Sequence, residues 1–127
     1  MPKKILVVDD EPEVVEVVSS RLKSNGYEVI SAANGREGIK AARQQQPDLI
    51  IMDIIMPNLS GGDAVRLLMS DVKTKNIPII FLTAVTASMP KGTEDRVNVD
   101  GQFIKAIAKP FEPENLLFEI RKLIGGI

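Results

Sequence analysis

Five polar residues that could do chemistry lie where apolar runs of the chain end. Asp53 closes the run Leu49–Met52 shortly before a break at Pro57, so its carboxylate is expected where a buried strand reaches the surface. Four more residues follow runs of strand length in the same way: Asp9, Asp10, Thr83 and Lys109. A single Asp at a strand end is usually structural, so a functional role depends on whether the fold brings these residues together.

If they converge, the chemistry that they favour is phosphoryl transfer. Three carboxylates brought close together repel one another, and the repulsion is relieved either by a bound proton or by a hard cation with oxygen ligands, for which Mg²⁺ is the natural candidate. With its charge offset by the metal and by Lys109, Asp53 could act as a nucleophile and form an acyl phosphate. The Thr83 hydroxyl could then donate a hydrogen bond to a phosphoryl oxygen.

Strand and helix patterns alternate along the chain. Short β-branched runs predict five strands: Lys4–Asp9, Tyr27–Ala32, Asp48–Asp53, Ile77–Thr83 and Phe103–Ala108. Segments with apolar residues three and four apart predict helices that begin at Pro12, after Asn34, after Gly61-Gly62 and after Glu112-Pro113. This alternation predicts an α/β fold with a parallel sheet and helices on both faces. The carboxyl ends of parallel strands meet at one edge, which would place the five polar residues in one pocket.

The segment from Ala84 to Gly101 is the hardest to interpret. It contains Pro90, Gly92 and Gly101 and has no sustained apolar period. We therefore predict that a fourth helix between the last two strands is short or irregular.

Composition limits the other classes of function. The 127 residues fit one domain, and a net charge of −1 with scattered Lys and Arg gives no footprint for nucleic acid or for an acidic membrane. The absence of cysteine and histidine removes disulfides, most zinc sites and the commonest general base. No apolar run approaches the roughly 20 residues of a membrane span. We expect a cytoplasmic protein that contacts neither DNA nor membrane.

Four motifs in chain order carry a family resemblance. They are Val7-Val8-Asp9-Asp10-Glu11-Pro12, Asp53 with Met56-Pro57, Leu82-Thr83-Ala84 and Lys109-Pro110-Phe111. Together they resemble the receiver domains of two-component response regulators, the CheY-like superfamily, over essentially all of residues 1–127. The resemblance implies a flavodoxin-like, doubly wound sheet of five parallel strands in the order 2-1-3-4-5, with a cis bond between Lys109 and Pro110.

The resemblance also implies a role for each site residue. Asp53 would be the phosphoacceptor, Lys109 would pair with the phosphoryl oxygens, and Thr83 would move to meet them. The Mg²⁺ ligands would be Asp9, Asp10, Asp53 and the backbone carbonyl of Ile55. The phosphodonor would be a phosphohistidine on a sensor histidine kinase or a phosphotransfer protein. The domain would not be an enzyme, except that it would catalyse its own phosphoryl transfer and self-dephosphorylation.

Two alternatives remain open. Receivers usually carry a switch aromatic three residues before the lysine, but this chain has Ala106 at that position. This departure leaves open a receiver-like interaction module that works without phosphorylation. An enzyme or cofactor protein on the same fold is the other alternative. A flavodoxin would need a phosphate cradle after the first strand, where Asp9 and Asp10 would repel phosphate. A phosphatase with an aspartyl nucleophile would want a second acid at the position of Ile55.

Overall fold

The computed structural model describes residues 2–54, 56, 59–84, 96–109 and 111–125, and for residues 83 and 84 it describes the main chain alone. Within these residues the elements are, in chain order, β1 (Lys4–Val8), α1 (Pro12–Ser24), β2 (Glu28–Ala32), α2 (Gly35–Gln45), β3 (Leu49–Asp53), α3 (Gly61–Met69), β4 (Ile79–Ala84), β5 (Arg96–Val99), β6 (Gln102–Lys109) and α4 (Pro113–Ile124). They form one sheet with the order β2-β1-β3-β4-β6-β5.

The five predicted strands form the parallel part of this sheet. The strands β2, β1, β3, β4 and β6 are parallel neighbours in that order, which is the predicted arrangement with β6 as the fifth strand. Successive residues of a strand point to opposite faces, so the side chains of the central strands contribute to two apolar clusters, one on each face of the sheet. The predicted flavodoxin-like α/β fold is confirmed.

Each face of the sheet is covered by two of the helices. On one face Leu6, Val8 and Phe81 pack with buried residues of α2 and α3. On the other face Ile5 and Val7 pack with buried residues of α1 and α4. Because β1, β3 and β4 are buried on both sides, their carboxyl ends are held rigidly at one edge of the domain.

The last strand pair adds an antiparallel edge strand to the predicted sheet. Arg96–Val99 forms an additional strand antiparallel to β6, which was not predicted. Valines alternate with polar residues in β5, and Val99 is buried. Asp100 and Gly101, both with positive φ, form the two-residue turn that joins β5 to β6, as Asp-Gly pairs commonly do in hairpins. Residues 85–95 lie outside the described part of the chain, and the predicted short or irregular fourth helix falls there.

The start of α2 follows the predicted signal, whereas α3 begins at Gly61, within the glycine pair that was expected to precede it. The Asn34 side chain accepts a hydrogen bond from the Glu37 N–H at 2.9 Å, and its amide donates to the Glu37 carboxylate at 2.8 Å. The first bond is the capping contact expected of Asn at this position, and the second joins the two side chains. In the described residues no helix has the length and hydropathy needed to cross a membrane.

Candidate functional site

Three carboxylates meet at the carboxyl edge of the sheet. Asp9 directly follows β1, Asp10 comes next, and Asp53 is the last residue of the neighbouring strand β3. One carboxylate oxygen from each residue lies within 4.8 Å of the other two. Asp9 is 1% exposed and Asp53 is 5% exposed, whereas Asp10 lies at the surface. The structure therefore brings together the three acids that the sequence singled out.

Lys109 reaches this cluster from the end of β6. Its Nζ donates to Asp9 Oδ2 at 3.0 Å, to Glu11 Oε1 at 2.9 Å and to Asp53 Oδ2 at 3.4 Å. The lysine side chain is only 15% exposed. Sequence reasoning did not assign a role to Glu11. The one available signal was its place directly after two acids at a strand end.

Charge and burial act in opposite directions on Lys109. Burial alone would lower the pKa of this lysine, because it disfavours the charged form. The hydrogen bonds to Glu11 and Asp9 and the negative charge of Asp53 outweigh that effect and raise the pKa above its ordinary value of 10.5. Lys109 is thus a permanent cation at neutral pH, held among carboxylates.

The remaining predicted residues are placed less completely. Thr83 lies near the end of β4, paired with Ala108 of β6, and its main chain is at the same edge as Asp53. The Thr83 side chain, Ile55 and Pro110 lie outside the description, and so does the predicted cis bond at Lys109-Pro110.

Gly61 packs against the main chain at Asp53, the candidate phosphoacceptor. The Gly61 N–H donates to the Ile54 carbonyl at 2.7 Å. A Cβ at position 61 would lie 2.5 Å from the Asp53 carbonyl oxygen and 2.8 Å from the Ile54 Cα. Only glycine lets α3 begin this close to the end of β3, and this contact fixes the main chain of Asp53.

The donor set fits a hard divalent cation. All three clustered side chains offer carboxylate oxygens, which are the ligands that Mg²⁺ prefers. Two of these carboxylates are buried at close range, so their mutual repulsion favours a bound positive charge. Lys109 supplies one such charge, and the exposed Asp10 leaves one side of the cluster open to solvent.

Comparison with known proteins identifies the family. The sequence model of the family described as "Response regulator receiver domain" matches residues 5–121. The chain is 35% identical to Protein PilH of Pseudomonas aeruginosa over 123 residues, covering 97% of this chain and 98% of PilH. It is 35% identical to the probable transcriptional regulatory protein TcrX of Mycobacterium tuberculosis over 124 residues, covering 97% of this chain and 50% of TcrX.

Solved structures agree with this assignment. The chemotaxis response regulator CheY4 of Vibrio cholerae superposes with a TM-score of 0.82 at 32% identity, covering 97% of this chain and 99% of that chain. The receiver domain of the sensor histidine kinase PA1611 of Pseudomonas aeruginosa, solved with a magnesium ion coordinated in its active-site cleft, has a TM-score of 0.82 at 30% identity. The alignment covers 99% of this chain and all of that domain, at 100%.

Fold, site and comparisons together define a phosphoacceptor signalling domain of a two-component system. The chain belongs to the response regulator receiver domain family, which confirms the resemblance inferred from the four motifs. Receiver domains interact with histidine kinases or phosphotransfer proteins. The chain spans nearly the whole of PilH and about half of TcrX.

Proposed function

We propose that residues 1–127 act as one receiver domain in which Asp53 is the phosphoacceptor. The observation that carries this proposal is the convergence of Asp9, Asp10 and Asp53 within 4.8 Å, with the Lys109 ammonium 3.4 Å from Asp53 Oδ2. Asp53 lies at the end of a strand buried on both faces, and its 6% exposed side chain accepts a hydrogen bond from Lys109, so the carboxylate is confined. A fixed nucleophile beside a fixed cation is the arrangement that phosphoryl transfer requires.

In the transfer step a carboxylate oxygen of Asp53 forms a bond to the phosphorus of a phosphohistidine. The bond from phosphorus to the donor nitrogen breaks at the same time, and the nitrogen keeps the electron pair. Lys109 stabilises the negative charge on the phosphoryl oxygens, and the Thr83 hydroxyl donates a hydrogen bond to one of them. The acyl phosphate is then consumed by hydrolysis, which the domain would catalyse on itself: a water oxygen bonds to the phosphorus, the bond from phosphorus to the Asp53 oxygen breaks, and inorganic phosphate leaves.

The metal in this proposal is Mg²⁺, with Asp9, Asp10, Asp53 and the Ile55 carbonyl as the protein ligands. A bound divalent cation would offset carboxylate charge and bind a phosphoryl oxygen of the incoming group. The described carboxylates support this assignment through their oxygen chemistry and close spacing. The PA1611 receiver domain, solved with magnesium in its cleft, supports it by similarity.

The expected phosphodonor is a sensor histidine kinase or a phosphotransfer protein in the cytoplasm. This chain has no histidine, so it cannot provide the phosphohistidine itself. Its net charge of −1 supports an output through protein contacts instead of direct DNA binding.

The test is the intact mass of the protein after incubation with acetyl phosphate. We expect one added phosphoryl group, formed with Mg²⁺ and not without it, and abolished in Asp53→Asn. Asp48→Asn is the matched control, because Asp48 lies just before the opposite end of the same strand, where it accepts a hydrogen bond from the Lys4 N–H at 2.8 Å. This control should be phosphorylated like the parent.

An unchanged mass in the parent would favour the phosphate-independent interaction module. The burial of Ala106 is the structural observation that favours this second function. Ala106 is 2% exposed and packs in the core cluster beside β4, so the switch aromatic usual at this position is replaced by a small, buried side chain.

A further inference from the structure

The shortest contact of the Lys109 ammonium is with Glu11. A lysine ammonium has three N–H donors, and here they face Glu11 at 2.9 Å, Asp9 at 3.0 Å and Asp53 at 3.4 Å. The acid proposed as the phosphoacceptor is therefore the most distant of the three. Glu11 therefore competes with both aspartates for the position of the ammonium.

Helix capping does not account for Glu11. The residue occupies the position before the first turn of α1, yet in the described structure its side chain makes no capping hydrogen bond. Its main-chain N–H donates to Asp9 Oδ1 at 2.9 Å, which anchors the backbone. The carboxylate is thus left to contact Lys109.

The three carboxylates differ in how easily they can release the lysine. The Asp9 and Asp53 side chains are 0% and 6% exposed, whereas the Glu11 side chain is 59% exposed. A buried carboxylate that loses its cation cannot regain water, but an exposed one can. When a new anion needs an N–H donor from Lys109, the contact with Glu11 is therefore the easiest to break.

We propose that Glu11 is a positioning residue that holds Lys109 in the resting domain and competes with the phosphoryl group for it. This inference rests on the proposed roles of Asp53 and Lys109. Phosphorylation then exchanges the Lys109–Glu11 contact for a Lys109–phosphoryl contact, and Glu11 turns to solvent. The ion pair with an exposed acid is weak, so the competition should change the affinity for a phosphoryl mimic by about two- to five-fold.

The experiment compares the parent with Glu11→Gln. Affinity for beryllofluoride in the presence of Mg²⁺ is measured by NMR titration, and the phosphorylation rate with acetyl phosphate is measured by intact mass. We expect Glu11→Gln to bind beryllofluoride about two- to five-fold more tightly and to be phosphorylated faster by a similar factor. In the Mg²⁺-free protein, the Lys109 side-chain resonances should shift in Glu11→Gln.

Two controls separate positioning from general electrostatics. Glu13→Gln removes an exposed charge near Glu11 from a residue that makes no ion pair with the described lysines and arginines, and it should change neither the affinity nor the Lys109 resonances. In a Lys109→Met background, the overall affinity should be lower and Glu11→Gln should add nothing, because the coupling runs through the lysine.

Several results would overturn the inference while leaving the proposed function intact. Unchanged or weaker beryllofluoride binding by Glu11→Gln would do so, as would an equal gain in Glu13→Gln or in the Lys109→Met background. A parent protein that neither gains a phosphoryl group nor binds beryllofluoride would instead reject the proposed function, and the inference about Glu11 with it.

Discussion

Replacing Lys109 by methionine should destabilise the domain far more than a typical lysine substitution. The change removes the cation that lies 3.0 Å from Asp9 Oδ2 and 3.4 Å from Asp53 Oδ2, while it keeps an apolar chain of similar length. Both carboxylates are almost fully buried. Deleting one partner of a buried ion pair costs about 3–5 kcal/mol, because the other partner stays charged and desolvated.

The cost here should lie somewhat below that range. Water reaches the cluster from the side of the exposed Asp10 and Glu11 side chains, and this access reduces the desolvation penalty. We therefore expect Lys109→Met to lower the free energy of unfolding by about 2–4 kcal/mol, which corresponds to a fall in Tm of roughly 6–16 °C for a domain of this size.

The assay is urea unfolding followed by far-UV circular dichroism at pH 7, first without Mg²⁺. Lys105→Met is the matched control, because Lys105 lies on the same strand and its ion pair with Glu119 spans 3.8 Å with the lysine 37% exposed. Surface pairs of this kind contribute about 0–1 kcal/mol. Added Mg²⁺ should recover part of the loss in Lys109→Met, since a cation bound only to the native state stabilises it.

The pH dependence has a defined sign. The pKa of Lys109 is raised above its ordinary value of 10.5, so the stability that this lysine contributes is fully present below pH 10.5 and is lost as the pH rises through the raised value. Titration of Lys109 should therefore leave the gap between parent and variant constant from about pH 7 to 9. Equal unfolding free energies for Lys109→Met and Lys105→Met would refute the view that Lys109 neutralises buried acids.

Two further pairs of substitutions test the scaffold, one beside the site and one in the connection from α3 to β4. Gly61→Ala should lower the free energy of unfolding by about 1–3 kcal/mol and slow phosphorylation, because its Cβ would lie 2.5 Å from a main-chain atom. Gly62→Ala is the control, because the nearest neighbour of its Cβ would be 4.0 Å away. In the same urea and acetyl phosphate assays this control should be neutral or slightly stabilising. Thr74→Val should lower the free energy of unfolding by about 1 kcal/mol, because the buried Thr74 hydroxyl donates to the Leu68 carbonyl at 2.6 Å. Thr74→Ser should retain most of that stability. Equal losses in the two variants would contradict the role of this hydrogen bond.

The sequence predicted the convergence of acids because that prediction depends on topology alone. Once strands and helices alternate, strand ends must share an edge, and Asp9 and Asp53 lie at the carboxyl ends of adjacent strands of the sheet. The contacts of Lys109 with Asp9 and Glu11 join residues about a hundred positions apart. No local pattern reports which way such side chains turn, so the role of Glu11 became visible only in the structure.

The antiparallel edge strand was missed for a different reason. The strand β5 has four residues, only two of them apolar, so it is too short to establish a period against the Pro- and Gly-containing segment before it. Its strongest signal was the turn, since Asp100-Gly101 lies between two strand-forming stretches. Sequence reasoning treated the segment from Ala84 to Gly101 as a whole without a period and gave this dipeptide no weight.

Charge balance connects the resting geometry to the proposed switch. With all groups ionised, Asp9, Asp10, Glu11 and Asp53 against Lys109 leave a net charge of −3 at this edge of the sheet. An anionic phosphodonor would be repelled by such an edge at the few-ångström distances involved, whereas a bound divalent cation would bring the local charge to −1. Lys109 cannot serve the phosphoryl group and all three of its present partners at once, because it has only three N–H donors. Phosphorylation must therefore break at least one of these contacts. The Lys109–Glu11 contact at the start of α1 is the one expected to break, because Glu11 is the most exposed of the three acids. The proposed exchange at Glu11 therefore needs no contribution from an aromatic at position 106.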